Sequence, residues 1–333
     1  MAEGRFVKPL ALFVVIVLAL SVVIALVAVT AGVGVPGETD GQRLEPQSPT
    51  QFQPETVVRS PDPETGEIEV PRGAQTGGPG RVLLDTRFSP GVDASAYGTV
   101  QDALAGAGHS VTVAAPADES FEGYQQSLEE YDALVLVEPV QALSAEDREA
   151  IQEFTEDGGR VLVLAEPPSV VSGGLLAGPE VVSFGASQLT DSYGMQVGSD
   201  KLYNTDETTT DNNFLAVSAT PESASSLTTD VERVSYDRGG FVIVPNTNVA
   251  TPLLPAVEGT RAMKTDRTGT YHTVARNGNF LLVADASFMR DGEVYDADNE
   301  VFVSNVLGYL LGAESDEPAG EPATESQGSM ALD

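Results

Sequence analysis

The sequence predicts a three-layer, doubly wound α/β domain with a mostly parallel sheet, preceded by one transmembrane helix. Three observations carry this. Two apolar runs at 133–137 and 161–165 are short, rich in Val and Leu, and free of polar alternation. Strands of a parallel sheet, buried on both faces, read this way. Between them, Ser144 and Asp147 have capping-box spacing, and Ala150, Ile151 and Phe154 fall on one helical face before Gly158-Gly159. The unit is β-α-β. Finally, strand-like and helix-like patterns keep alternating on the amino-terminal side of this unit.

The chain divides into five parts. Residues 1–9 form a cytoplasmic N-terminus. Residues 10–35 carry no charge, and a helix over 10–31 spans ~33 Å, matching a ~30 Å hydrocarbon core. Arg5 and Lys8 precede the run and Glu38 and Asp40 follow it. The positive-inside rule therefore puts everything after it outside the cell membrane, as a single-pass protein. The run is longer than the apolar segment of a cleaved signal peptide. Residues 36–79 are rich in Pro and Gly and lack a periodic apolar face, which predicts a disordered linker.

The α/β domain is expected over 80–312. Its first strand is Val82-Leu83-Leu84-Asp85. A helix marked by Tyr97, Val100, Leu104 and Ala107 ends at Gly108, a strand follows at 111–113, and a short helix covers 124–131. After the central unit, 189–193 reads as a helix stopped by Gly194. Residues 170–260 are otherwise polar and irregular, and read as an insertion or an antiparallel edge. The strands at 270–274 and 280–284 flank Asn277-Gly278, a strong hairpin signal. Asp298-Asn299 is placed to cap a last helix with an apolar face of Phe302, Val306, Tyr309 and Leu310, ended by Gly312. Residues 313–333 read as an acidic disordered tail.

The 333 residues carry a net charge of −33, with Lys8, Lys201 and Lys264 as the only lysines among 17 basic residues. An ordinary hydrophobic content of 41% separates the chain from disordered acidic proteins. A folded domain with a dense carboxylate coat fits a halophilic setting, where salt screens self-repulsion. The charge argues against nucleic acid as a partner. The absence of cysteine excludes disulfides, thiolate catalysis and Cys-type zinc sites.

The chemistry-bearing residues are positional. Asp85, Glu138, Glu166 and Asp285 each follow an expected buried strand. Ligands of open parallel sheets bind beyond the carboxyl ends of strands. If the four strands run parallel, their carboxylates share one edge and could hold a hard cation or a polyol. The competing explanation is that acidic residues are common here and often start loops. Arg87 is the basic residue placed to neutralise them, and at least one carboxylate is expected to titrate high. Asp285, Ser287 and His272 do not make a convincing triad, because no Gly-x-Ser-x-Gly elbow is present. Residues 291–300 resemble a calcium loop in composition but not in EF-hand spacing. No glycine-rich phosphate loop follows a strand, so no catalytic residue and no cofactor is assigned, and the metal question stays open.

Three segments carry a family resemblance: the strand at 133–137 with the Leu143-Ser144 helix start, Gly158-Gly159-Arg160, and the closing stretch 278–289 with Asp298-Asn299, Phe302, Asn305 and Leu307. Over residues 81–312 the chain resembles class I glutamine-amidotransferase-like domains. It is more similar still to an uncharacterised, membrane-linked branch common in halophilic archaea, related to gliding-motility and ABC-transport accessory domains. The resemblance implies a glutamine-amidotransferase-like or flavodoxin-like fold. Glutaminase activity in that family needs a cysteine at the turn after a central strand. Glu138-Pro139-Val140 stands there in this sequence, so the resemblance implies the fold without that chemistry. The expected function is a non-catalytic binding or scaffold module with membrane-protein partners, perched on the membrane by its N-terminal helix as part of a transport or envelope complex. The alternative is a metal-assisted hydrolase using the acidic strand ends.

Overall fold

The structure, a computed structural model, describes residues 64–75, 77–116, 123–172, 179–205 and 213–313. The expected N-terminus, the membrane helix at 10–35 and nearly all of the tail lie outside the described residues. No helix among the described residues is long and apolar enough to cross a membrane.

The domain is mixed α/β around a nine-stranded sheet. Its strands are β1 (Arg81–Asp85), β2 (Ser110–Ala114), β3 (Ala133–Val137), β4 (Arg160–Leu164), β5 (Gln196–Val197), β6 (Val242–Ile243), β7 (Thr251–Pro255), β8 (His272–Asn277) and β9 (Phe280–Val283). The order is β2-β1-β3-β4-β9-β8-β6-β5, with β7 also on β8. The first five strands of that order run parallel. The rest join antiparallel, starting with the β8–β9 hairpin, whose turn residue Gly278 has a φ of +55°. Residues 170–260 supply part of this antiparallel extension, one of the two arrangements the sequence offers for them, and the whole sheet is mixed.

Alternation along the strands sorts two cores. Leu84, Val135, Val137, Leu164 and Val283 face one layer, with α1 (Gly98–Gly106) and α5 (Asn299–Leu310) over it. Leu83, Leu134, Leu136, Val163 and Leu282 face the other, under α2 (Tyr124–Ser127), α3 (Ala145–Glu156) and α4 (Ser187–Ser192). Each fully buried Leu or Val contributes about 1.5–3 kcal/mol, so these strand centres dominate stability. The central helix begins on the expected capping box. Ser144 Oγ accepts Asp147 N–H at 3.0 Å and Asp147 Oδ2 accepts Ser144 N–H at 3.2 Å. At the other end Gly158 takes a φ of +98°. Gly159 makes room, since a Cβ there would lie 2.4 Å from the Phe154 ring.

Two expectations need correction. The chain does not wait until residue 80 to join the domain. From residue 64 it lies along α5: Ile68 and Val70 pack on the core, Ala74 is buried, and Glu69 N–H donates to Ser304 Oγ at 2.8 Å. His109 fastens this strap to the sheet by accepting Gly80 N–H on Nδ1 at 2.7 Å and facing the Pro71 carbonyl with Nε2 at 2.5 Å. The apolar residues that drive this, Ile68, Val70 and Ala74, are too few to give a period. The second correction concerns α5. Asp298 occupies its N-cap but makes no side-chain cap. Its carboxylate instead accepts Glu232 and Arg233 N–H, both at 2.8 Å. Asn299 clasps Ser235 through N–H and C=O at 2.9 and 3.1 Å. The pair pins the ribbon of residues 216–219 and 234–237 to the start of α5.

Candidate functional site

β1, β3, β4 and β9 run parallel, so Asp85, Glu138, Glu166 and Asp285 all lie at the carboxyl edge of the sheet. The edge has two sides, however: parity sends Asp85 to one and Glu166 and Asp285 to the other, and the left-handed backbone of Glu138 turns its side chain to that second side as well. Asp85 follows Leu83 in alternation and points toward the α2–α3 layer. It is fully buried, and Arg87 clamps it with Nε at 3.1 Å from both carboxylate oxygens and Nη2 at 2.6 Å from Oδ2. The Tyr124 hydroxyl donates to Oδ2 at 2.5 Å, and the guanidinium lies over the Tyr124 ring at 4.8 Å. This fork-to-fork pair, with an aromatic beneath it, closes Asp85 off from any ligand.

The other three carboxylates belong to the α1–α5 side. Glu138 takes a φ of +43° directly after β3, a left-handed conformation that a non-glycine residue adopts only when its surroundings hold it there. Its N–H is held by the Leu164 carbonyl at 2.8 Å. Its Oε1 accepts the Tyr97 hydroxyl at 2.8 Å and Arg290 Nη2 at 2.5 Å. The same nitrogen reaches Glu166 Oε1 at 3.2 Å. Glu138 and Glu166 thus meet on one atom, far inside the ~10 Å screening length of 0.1 M salt.

Arg290, rather than Arg87, neutralises this group. Sequence reasoning missed it because it sits in an irregular turn after the 287–289 helical turn, five residues beyond Asp285. The usable signal was parity: Leu164 and Val283 share one core, so Glu166 and Asp285, two residues beyond them, fall on one side and needed a cation from the segment following β9.

Electrostatics follow from this burial. Burial raises Glu166, the nearby Glu138 charge adds to it, and Arg290, the Ala286 N–H and Lys201 offset only part, leaving Glu166 pushed up to about 7. Asp285 is 1% exposed, and burial followed by the Glu166 charge pushes it well above the carboxylate range. Its Oδ1 accepts Ser287 N–H at 2.6 Å and the Ser287 hydroxyl. Its Oδ2 is buried without a hydrogen-bond partner among the described residues, beside Gly239, where a Cβ would lie 3.4 Å away. Burial also raises Tyr97, which therefore stays a hydroxyl donor. For Arg290, burial works against the charge but Glu138, Tyr97 and Glu166 outweigh it, so the guanidinium stays charged. The group can offer carboxylate acceptors and guanidinium donors on a partly exposed rim: the side chains of Arg290, Glu166 and Glu138 are 32%, 26% and 13% exposed.

Nucleophilic catalysis is not assembled here. Ser287 Oγ is taken up by Asp285 and by the Asp237 N–H at 2.8 Å. Of the two histidines, His109 holds the strap, and His272, at the start of β8 and opposite Asp285 in register, is not among the hydrogen-bond partners of Ser287. Among the described residues no three His, Asp or Glu side chains are grouped as metal ligands. In the calcium-like stretch, Asp291 instead accepts Thr99 N–H at 2.8 Å in the first turn of α1. The crevice between β1 and β3 is filled by the chain itself: Ser89 Oγ donates to the Val137 carbonyl, and the Phe88 carbonyl accepts Val140 and Gln141 N–H, both at 2.9 Å.

The molecule is thus a mixed α/β sheet protein whose carboxyl edge carries an arginine-bridged carboxylate pair. Residues 92–307 match the family described as Domain of unknown function (DUF4350); the chain belongs to that family. No curated protein matches it. Among solved structures it is similar to the mmIFT52 N-terminal domain, with 13% identity and a TM-score of 0.56 over 71% of this chain and 98% of that one; the two share a fold. A ThuA-like protein from Parabacteroides merdae is also similar, at 10% identity and a TM-score of 0.38, over 72% of this chain and 92% of that one.

Proposed function

We propose that this chain is a membrane-anchored, extracytoplasmic, non-catalytic binding or scaffold module, presenting the Glu138–Arg290–Glu166 rim to a membrane-protein partner in a transport or envelope complex. The observation that carries the reading is the setting of Glu138, the residue that the resemblance aligns with an amidotransferase nucleophile. It stands in a left-handed conformation after a central strand, where a glutamine amidotransferase places its cysteine, and its charge is tied to Arg290 and Tyr97. A residue paired with a guanidinium and hydrogen-bonded by a hydroxyl is poised to recognise, not to attack.

The strand order β2-β1-β3-β4-β9 supports a flavodoxin-like, amidotransferase-like ancestry for the parallel half. The uncharged run at 10–35, with Arg5 and Lys8 before it, supports the anchor and its orientation. The charge of −33 supports a halophilic setting. The metal-assisted hydrolase has less behind it. Asp85 faces the other layer with its own arginine, and Arg290 already supplies the positive charge that a metal would bring to Glu138 and Glu166. Protease treatment of intact cells should remove residues 81–312, and the detergent-solubilised chain should co-purify with a partner in fixed stoichiometry. Protection of the domain would overturn the orientation. Substrate hydrolysis lost on Glu138→Gln would overturn the non-catalytic reading.

A further inference from the structure

A cavity of about 470 Å³ opens at the opposite, amino-terminal edge of the sheet. That volume lies in the range of small-ligand and side-chain pockets. Its floor comes from both layers: Phe154 and Leu128 from the α2–α3 side, Leu310 and Leu311 from the end of α5. Asp132, which precedes β3, and Arg160, which opens β4, lie between the two layers. Asp132 accepts Arg81 N–H at 2.8 Å, and the Arg160 guanidinium lies over the Tyr309 ring at 4.9 Å. The strap contributes Ala74 and Gln75. The wall is built on purpose-fitted backbone, because a Cβ on Gly159 would strike Phe154 and one on Gly312 would strike Gln75.

The lining is charge-asymmetric. Glu129, Asp132, Glu153 and Asp157 face a single cation, Arg160. Among the described residues Glu129, Glu153 and Asp157 make no ion pair or side-chain hydrogen bond. An apolar floor under unpaired carboxylates suits an apolar stem ending in a cation. The chain's own acidic residues beyond 313 are disfavoured by like charge, and so is a second copy of this acidic chain.

We propose that this cavity receives a lysine or arginine side chain, with an adjacent apolar residue, from a partner protein. The site is separate from the carboxyl-edge rim and does not depend on it. Glu129, Glu153 and Asp157 are exposed, so the attraction should weaken with salt.

The test uses the full chain and two blocked tripeptides, Leu-Arg-Leu and Leu-Glu-Leu, with binding read by calorimetry. Two double charge reversals are compared: Glu153→Lys/Asp157→Lys at the cavity, and Glu149→Lys/Glu258→Lys on exposed positions outside it. Both change net charge equally, so general attraction to an acidic protein affects them alike. The first pair sits at the carboxyl end of α3, where added cations favour the helix, and thermal melts verify folding. The proposal expects saturable binding of Leu-Arg-Leu only, weakened about tenfold by the cavity pair and unchanged by the control pair. Equal loss in both pairs, equal binding of both peptides, or no saturable binding would overturn it. Loss of the carboxyl-edge partner through Arg290→Met, with tripeptide binding intact, separates this site from the rim.

Discussion

Arg290 donates to Glu138 at 2.5 Å across 152 residues of sequence, and this contact ties the segment after β9 to the end of β3. The same nitrogen holds Glu166, so one arginine organises the exposed part of the carboxyl edge. Removing it strands two carboxylates in a partly buried place.

Arg290→Met is therefore expected to destabilise the domain by about 2 kcal/mol, between the ~0–1 of an exposed ion pair and the 3–5 of a buried one. Urea unfolding at pH 7.5 measures it. The substitution also removes a charge that holds Glu166 down, so Glu166 should titrate above its present value of about 7, as followed by NMR of its side-chain carboxyl. An unchanged Glu166 titration would show that Arg290 does not govern it.

The pH dependence has a defined sign. Glu166 binds its proton more tightly in the folded protein, at about 7, than in the unfolded chain, near 4.5. Asp285 is shifted the same way. Their stabilisation is complete below the unfolded values and fades as pH rises through the folded ones. Stability should accordingly fall between about pH 4.5 and 7. Allowing for the quarter exposure of Glu166, its share is about 2 kcal/mol. Glu166→Gln should flatten this slope and stabilise the protein at pH 8. A slope equal to wild type in thermal melts across that range would count against the shift.

The two glycines after α3 should fail differently. Gly159→Ala forces a Cβ to within 2.4 Å of Phe154 and should cost about 1–3 kcal/mol through repacking. Gly158→Ala meets no atom within 4 Å but must hold a φ of +98°, which costs about 1–2 kcal/mol through backbone strain alone. Adding Phe154→Leu should relieve the first variant and leave the second untouched, a double-mutant cycle in urea.

His109→Ala should loosen the strap. It removes the partner of Gly80 N–H and of the Pro71 carbonyl, at about 1–3 kcal/mol. Hydrogen exchange should speed up over residues 64–75 while 133–137 stays protected. Uniform acceleration would mean that the strap is not a separate unit.

Local signals in the sequence were strong where one rule decided the outcome. The Ser144 capping box, the positive φ of Gly108, Gly194 and Gly312, and the Asn277-Gly278 hairpin each follow from one or two residues. The carboxylates beyond β1, β3, β4 and β9 were placed at one edge for the same reason, since buried strands announce their own ends. Which side of the edge each occupies was harder to read. Parity assigns Asp85 to one layer, but Glu138 escapes parity through its left-handed backbone, which no neighbouring glycine announces. Long-range partners left no trace: nothing near Asp298 in sequence points to Glu232, and nothing near Glu138 points to Arg290. The antiparallel extension was faint because β5 and β6 are two residues long.

The most direct measurement is the stoichiometry of whatever co-purifies with the detergent-solubilised full chain, compared between wild type, Arg290→Met and the Glu149→Lys/Glu258→Lys control, each verified as folded. A binding module that works through the Glu138–Arg290–Glu166 rim predicts a fixed-ratio partner in wild type and control, lost in Arg290→Met. Retention of that partner by folded Arg290→Met would contradict a role for the rim.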